Sequence, residues 1–385
     1  MQLSSVLVAA AALIAPVYSS AIIPIGRRAE GLDVSLASTG NTQVKVSITN
    51  TGSEETSVLK VNTFFDESPI KKVNVLKEGA QDEVPFKGIR LSYNPFDLNQ
   101  DDFQPIAPGQ TIDAEFDIAE TLDLTEGGNY IVSAEGVLPF SNPECTGITG
   151  VIPYKSNEIT IHVDGKLAAR TETVHAKFER LARRTEIVDS CTPEQKQVVT
   201  KALKTAEDLA TAASKEALCG DSRKFEQYFR TTGSSVRKDV SERYAAIAKE
   251  ASSTTSGHTK YHCEDTANAC KKGVIAYAVT GKNIVVNCPS YYDMAEVSDG
   301  CGGKDQALTI IHEFTHIDEV YSPATTDYTY GLEASISLDA DKAIKNADNY
   351  NFYAHSVRLN CDPEEYNKNR LPEWFKKLFP NAKTS

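Results

Sequence analysis

The hydrophobic pattern of this chain changes its period once, and no single layer of secondary structure suits both halves. Residues 31–164 alternate apolar with polar side chains, as in Thr42-Gln-Val-Lys-Val-Ser-Ile, Thr111-Ile-Asp-Ala-Glu-Phe-Asp-Ile and Glu158-Ile-Thr-Ile-His-Val. A period of two puts successive side chains on opposite faces of a strand. Turn signals at Asn50-Thr-Gly, Pro108-Gly and Gly127-Gly128-Asn129 separate these runs. Short alternating strands at this spacing predict a β-rich, sandwich-like region. It carries no catalytic constellation and reads as a prosegment or a binding module.

After residue 190 the pattern becomes helical. Thr192-Pro193-Glu194-Gln195 is a helix start: an N-cap, proline at the first helical position and Gln three residues on. That helix runs towards Leu218 and stops at Gly220. A second helix covers Ser234 to Ala251. Val274-Ile-Ala-Tyr-Ala-Val and Asn283-Ile-Val-Val-Asn flank Thr280-Gly281-Lys282 as a hairpin. A further helix is expected from Asp305 to Val320, with Leu308, Ile311 and Thr315 on one stripe. The fold class is thus multidomain, a β-rich region followed by an α-rich α+β domain with a small hairpin sheet.

The charged connector Ala168 to Arg184 joins the two and ends in Leu181-Ala-Arg-Arg. A dibasic step between two composition zones reads as a processing site for a kexin-type protease, and Arg27-Arg28 is a weaker site of the same kind. The apolar run Val6 to Val17, followed by Ser19, Ser20 and Ala21, reads as an export signal too short to span a bilayer. No later segment is apolar enough for a membrane helix. The expected parts are a signal peptide at 1–19, a β-rich propeptide at 20–184 and a catalytic domain at 185–385, secreted and monomeric. Export makes disulfides the default for the eight cysteines, seven of which follow residue 190. A formal charge of −13 argues against a nucleic-acid footprint and suits neutral or cationic substrates.

The chemistry is concentrated in His312-Glu313-Phe314-Thr315-His316. On a helix, two histidines four apart share a face and can reach one metal ion. Glu313 is offset, so it can act as general base on a metal-bound water. Zinc brings the pKa of such a water to about 7. A catalytic zinc needs a third protein ligand. The metzincin solution fails, because Glu319 and Ser322 stand where Gly and His are needed. The gluzincin solution leaves Glu333, in Gly331-Leu-Glu-Ala-Ser, as a candidate.

The segment Ala324-Thr325-Thr326-Asp327-Tyr328-Thr329-Tyr330-Gly331 strongly resembles the Gly-Thr-x-Asp-x-x-Tyr-Gly motif of the deuterolysin family, the fungal aspzincins. Ala324 stands where Gly is usual. The resemblance implies Asp327 as third ligand and Tyr330 as the phenol that stabilises the oxyanion when a peptide carbonyl is attacked. Asn346-Ala-Asp-Asn-Tyr also looks like the family. Asp348 within it is the runner-up acidic ligand, or else orients one of the histidines. The family's cysteine positions imply Cys191–Cys263 and Cys270–Cys288, make Cys301–Cys361 plausible and leave Cys219 odd. The implied enzyme is a zinc endopeptidase with one zinc per catalytic domain. It would act on proteins and peptides, often basic ones, with its own propeptide as inhibitor and chaperone. Tyr291 and Tyr292 either line the cleft or pack in the core. His162, His175, His258, His262 and His355 lack metal spacing.

Overall fold

The computed structural model describes residues 31–94, 98–141, 147–182, 190–254 and 257–363. The expected signal peptide, both dibasic steps and Cys145 lie outside the described residues. No helix among those described is long and apolar enough to cross a membrane.

The alternating segments become strands. Gln43–Asn50 turns Val44, Val46 and Ile48 inward, all fully buried. It pairs antiparallel with Leu32–Ser38 on one side and Thr111–Asp117 on the other. A second antiparallel sheet runs Gly150–Lys155, Glu135–Ser141, Thr56–Leu59, Phe103–Ile106. A third runs Ile159–Val163, Gly128–Ser133, Asn74–Lys77. Val58, Val75, Val132, Leu138 and Ile161 from these sheets join Val44, Val46 and Ile48 in one core.

The second half is built on helices. Pro193–Cys219 opens with reciprocal caps between Thr192 and Gln195, and Gly220 follows its last residue. Ala202, Ala206, Ala210, Ala213 and Ala217 form a fully buried stripe at helical spacing. Small side chains let this helix lie close to Ser234–Ala251. Ser214 and Ser241 seal the contact, each hydroxyl donating to the other's carbonyl at 2.8 Å. Among the described residues three disulfides link Cys191 to Cys263, Cys270 to Cys288 and Cys301 to Cys361, and Cys219 is free and exposed.

The hairpin Val274–Val279 and Ile284–Asn287 forms as expected, but inside a wider sheet. Lys260–His262 pairs parallel to Ile284–Asn287. Ile89–Tyr93, from the β-rich half, pairs antiparallel to Val274–Val279. Leu91, Tyr93, Tyr277, Val279 and Val286 share one core, so the two halves meet through buried apolar surface.

The helix predicted from Asp305 to Val320 is shorter, Gln306–Thr315, with His316 as its C-cap. Its end tightens: the N–H of His316 donates to Glu313 and that of Ile317 to Phe314. Thr315 also turns its hydroxyl back onto the His312 carbonyl at 2.7 Å. The apolar stripe is wider than predicted, because all ten residues of the helix are buried. Tyr291 belongs to the core rather than a cleft.

Asp305 starts this helix. Its carboxylate accepts from the N–H of Leu308 at 2.7 Å and from that of Ser298 at 2.8 Å. Replacing it with Ala removes a cap and strands a buried donor, a loss of about 1–3 kcal/mol. Thermal unfolding of the full chain checks this, and D305A should melt several degrees lower.

Candidate metal centre

The shortened helix still carries His312 and His316 on one face, because His316 keeps a right-handed helical backbone. Each imidazole is oriented through Nδ1. His312 Nδ1 donates to Asp348 at 2.8 Å, and His316 Nδ1 faces the Thr325 carbonyl at 3.2 Å. Holding the proton on Nδ1 leaves each Nε2 as a free lone pair. The two Nε2 atoms converge to 3.3 Å.

The segment after the helix folds back to bring Asp327 opposite them. The Thr325 N–H donates to the Thr315 carbonyl at 2.8 Å, and the hydroxyls of Thr315 and Thr325 meet at 2.6 Å. The N–H of Ala324 donates to Asp318 at 2.9 Å, so the turn closes with alanine at its first position. Asn346 holds the far side, its side-chain oxygen accepting from the N–H groups of Tyr328 and Thr329 at 2.8 and 3.1 Å. Asp327 Oδ1 then lies 3.4 Å from His312 Nε2, and its Oδ2 lies 3.3 Å from His316 Nε2.

Each of these separations has the length of one edge about a tetrahedral ion, the carboxylate turning one oxygen to each imidazole. Bonds of about 2.0–2.1 Å give ligand-to-ligand distances of about 3.3–3.4 Å. Both Asp327 oxygens and both Glu313 oxygens are buried without a hydrogen-bond partner. Buried carboxylates left unpaired are costly, so four such oxygens beside two imidazoles fit a site built for a cation. Among the described residues, His312, His316 and Asp327 are the one His, Cys, Asp or Glu group with metal-binding geometry.

Burial pushes the Glu313 carboxyl well above its ordinary range, and the Asp327 carboxylate adds to the effect. Burial also works to raise Asp327, but the imidazoles, where protonated, and Arg90 outweigh it and hold that group below the ordinary range. Tyr330 is buried, with its hydroxyl donating to the Leu91 carbonyl at 2.5 Å and its ring stacked near His312. Glu333 is exposed on the helix Leu332–Ile336 and lies outside the group.

Asp348 sits behind His312 rather than beside Asp327. It accepts from His312, Lys304, Asn351 and the N–H of Gly331. Gly331 has φ +84 and ψ 154, a conformation that side chains with a Cβ avoid, so the motif's last position needs glycine. Lys304, with its side chain 1% exposed, gave no signal in the sequence. It sits in a stretch between Gly303 and Asp305 with no motif of its own. Arg90 was equally hidden, because it lies in the other half of the chain.

A sequence profile of the deuterolysin metalloprotease (M35) family matches residues 1–361. The chain belongs to that family. It is 58% identical over 365 residues to a neutral protease 2 homolog of Blastomyces gilchristii (strain SLH14081), covering 94% of this chain and 100% of the relative. Identity is 40% to the neutral protease 2 homolog MEP3 of Coccidioides posadasii (strain C735), covering 93% and 99%. It is 40% to neutral protease 2 of Aspergillus oryzae (strain ATCC 42149 / RIB 40), covering 87% and 94%. The chain is therefore a metal-dependent endopeptidase whose substrates are proteins or peptides.

Burial acts to raise Asp348, but Lys304 and His312 prevail and hold its carboxyl far below the ordinary carboxylate range. The folded value is depressed, so its stabilisation is complete above the unfolded value of about 4 and is lost as pH falls below it. Asp348→Asn leaves Lys304 unpaired in the interior. It should cost about 3–5 kcal/mol at neutral pH and flatten the loss of stability below about pH 4. Urea unfolding at several pH values checks both.

Proposed function

We propose that this chain is a secreted zinc endopeptidase made as a zymogen, with His312, His316 and Asp327 as the zinc ligands. The observation that carries this reading is the convergence of the two Nε2 atoms, 3.3 Å apart, with an Asp327 oxygen within 3.4 Å of each. The donor set, two neutral imidazoles and one carboxylate, suits zinc with a coordination position left open. Zinc held there supplies Lewis acidity, which acidifies water and polarises a carbonyl.

Glu313 takes the proton of the attacking water and passes it to the leaving amine. Its upward-shifted carboxyl suits a group that must hold a proton between those two transfers. Tyr330 donates its hydroxyl to the carbonyl oxygen as negative charge develops on it. Asp348 keeps His312 in the tautomer that offers Nε2.

Residues 1–19 serve as a signal peptide and 20–184 as a propeptide that inhibits and chaperones. A kexin-type protease cuts after Arg184 and frees a monomeric domain, 185–385. Within 185–385 acidic residues outnumber basic ones, 29 to 24, which favours basic protein substrates.

Glu313→Gln should keep one zinc per chain and lose about 10²–10⁴-fold in peptide hydrolysis. Asp327→Ala should lose both zinc and activity, and Glu333→Ala neither. Metal analysis with a fluorogenic peptide assay checks the three together. An Asp327→Ala protein that keeps both, beside a Glu333→Ala protein that loses both, would overturn the ligand assignment. The processing step is checked by N-terminal sequencing of the secreted protein, which should begin at Thr185.

A further inference from the structure

The strand Ile89–Tyr93 lies where a peptide-cleaving enzyme needs open space. Val274–Val279 has Ile284–Asn287 on one side and Ile89–Tyr93 on the other. Without the latter, it is a bare edge whose backbone groups are free to pair with another extended chain. Register sets Leu91 opposite Tyr277, Arg90 opposite Ala278 and Ser92 opposite Ala276. Strand alternation then divides the side chains. Ile89, Leu91 and Tyr93 enter the shared apolar core. Arg90 and Ser92 take the opposite face.

Consecutive residues of this strand engage the segment that carries Asp327. Arg90 Nη1 donates to the Thr326 hydroxyl at 2.6 Å. The guanidinium lies near enough to Asp327 to help hold that carboxyl down. The Leu91 carbonyl accepts the Tyr330 hydroxyl at 2.5 Å. The Tyr93 ring packs 4.5 Å from the Tyr330 ring. Contacts at both ends fix the strand: the N–H of Thr280 donates to Gly88 and that of Asn94 to Gly273. Further along the same half, His175 meets the Thr280 carbonyl at 2.7 Å and Glu179 pairs with Lys282 at 2.5 Å.

We propose that Ile89–Tyr93 is a built-in substrate surrogate. It takes the place on Val274–Val279 where an extended substrate backbone pairs antiparallel, and it sets the Leu91 carbonyl on Tyr330 as a scissile carbonyl would be set. This rests on the zinc-endopeptidase reading above. The inhibitory contact is thus far from the connector in sequence. Cutting after Arg184 leaves it intact, and activity appears when the strand leaves the sheet.

The test uses the zinc-loaded full chain, cut at the connector with a kexin-type protease and assayed at a series of dilutions with a fluorogenic peptide. The cut wild type should stay silent while its two pieces co-elute on gel filtration, and gain activity on dilution. With Arg90→Ala the same gain should come at a concentration at least tenfold higher. The liberated catalytic piece is the same chain in both. Lys45→Ala, on a distant strand, should match the wild type. Should Arg90→Ala fold poorly, a synthetic peptide of residues 87–94 replaces it. That peptide should raise KM and leave kcat unchanged, and its Arg90→Ala version should inhibit at least tenfold less.

If the co-eluting cut pieces are fully active, or the peptide does not compete with substrate, the surrogate is wrong. If the separated piece holds zinc but hydrolyses no peptide, the endopeptidase reading itself has failed.

Discussion

Asp348 is fully buried and surrounded by four donors, from His312, Lys304, Asn351 and the backbone of Gly331. A carboxylate without access to water is tolerated only when its lone pairs are filled and its charge is balanced. Each donor comes from a different stretch of chain or a different function. Lys304 belongs to the loop before the histidine helix, Gly331 closes the motif segment, and Asn351 lies on the carboxylate's own helix. One buried charge therefore ties together three elements that also meet through the Thr315–Thr325 and Asn346 contacts. The orientation of His312 is one outcome of that balance.

Much of this was written in local pattern. The period of two in Gln43–Asn50 and the Thr192 and Gln195 caps act over a few residues, so they can be read from a few residues. The same is true of the spacing of His312 and His316. The end of the histidine helix was harder. Ile317 and Val320 continue an apolar rhythm, and what stops the helix is Thr315 bonding backward and to Thr325, a partner ten residues on. Hydrophobic period carries no information about such competition.

Lys304 and Arg90 were illegible for a different reason. A single basic residue in a polar stretch has the sequence appearance of a solvated side chain, and only the fold shows Lys304 to be interior. The pairing of Ile89–Tyr93 with Val274–Val279 joins the two compositional zones. A division drawn where the period changes necessarily cuts through it. Strand pairing across long separation is set by which edge remains open after local structure forms, and that is a property of the whole assembly.

The histidine helix has ten residues and no face toward water. An ordinary surface helix offers positions where side chains drift without consequence. Here every replacement is also a change in packed volume, so a chemically conservative exchange at Ile310, Ile311 or Phe314 still disturbs its neighbours. Chemistry and packing cannot vary separately along this segment. Exchanges that leave the packing undisturbed have more room in the neighbouring segment, where Thr326 is partly exposed and Tyr328 exposed.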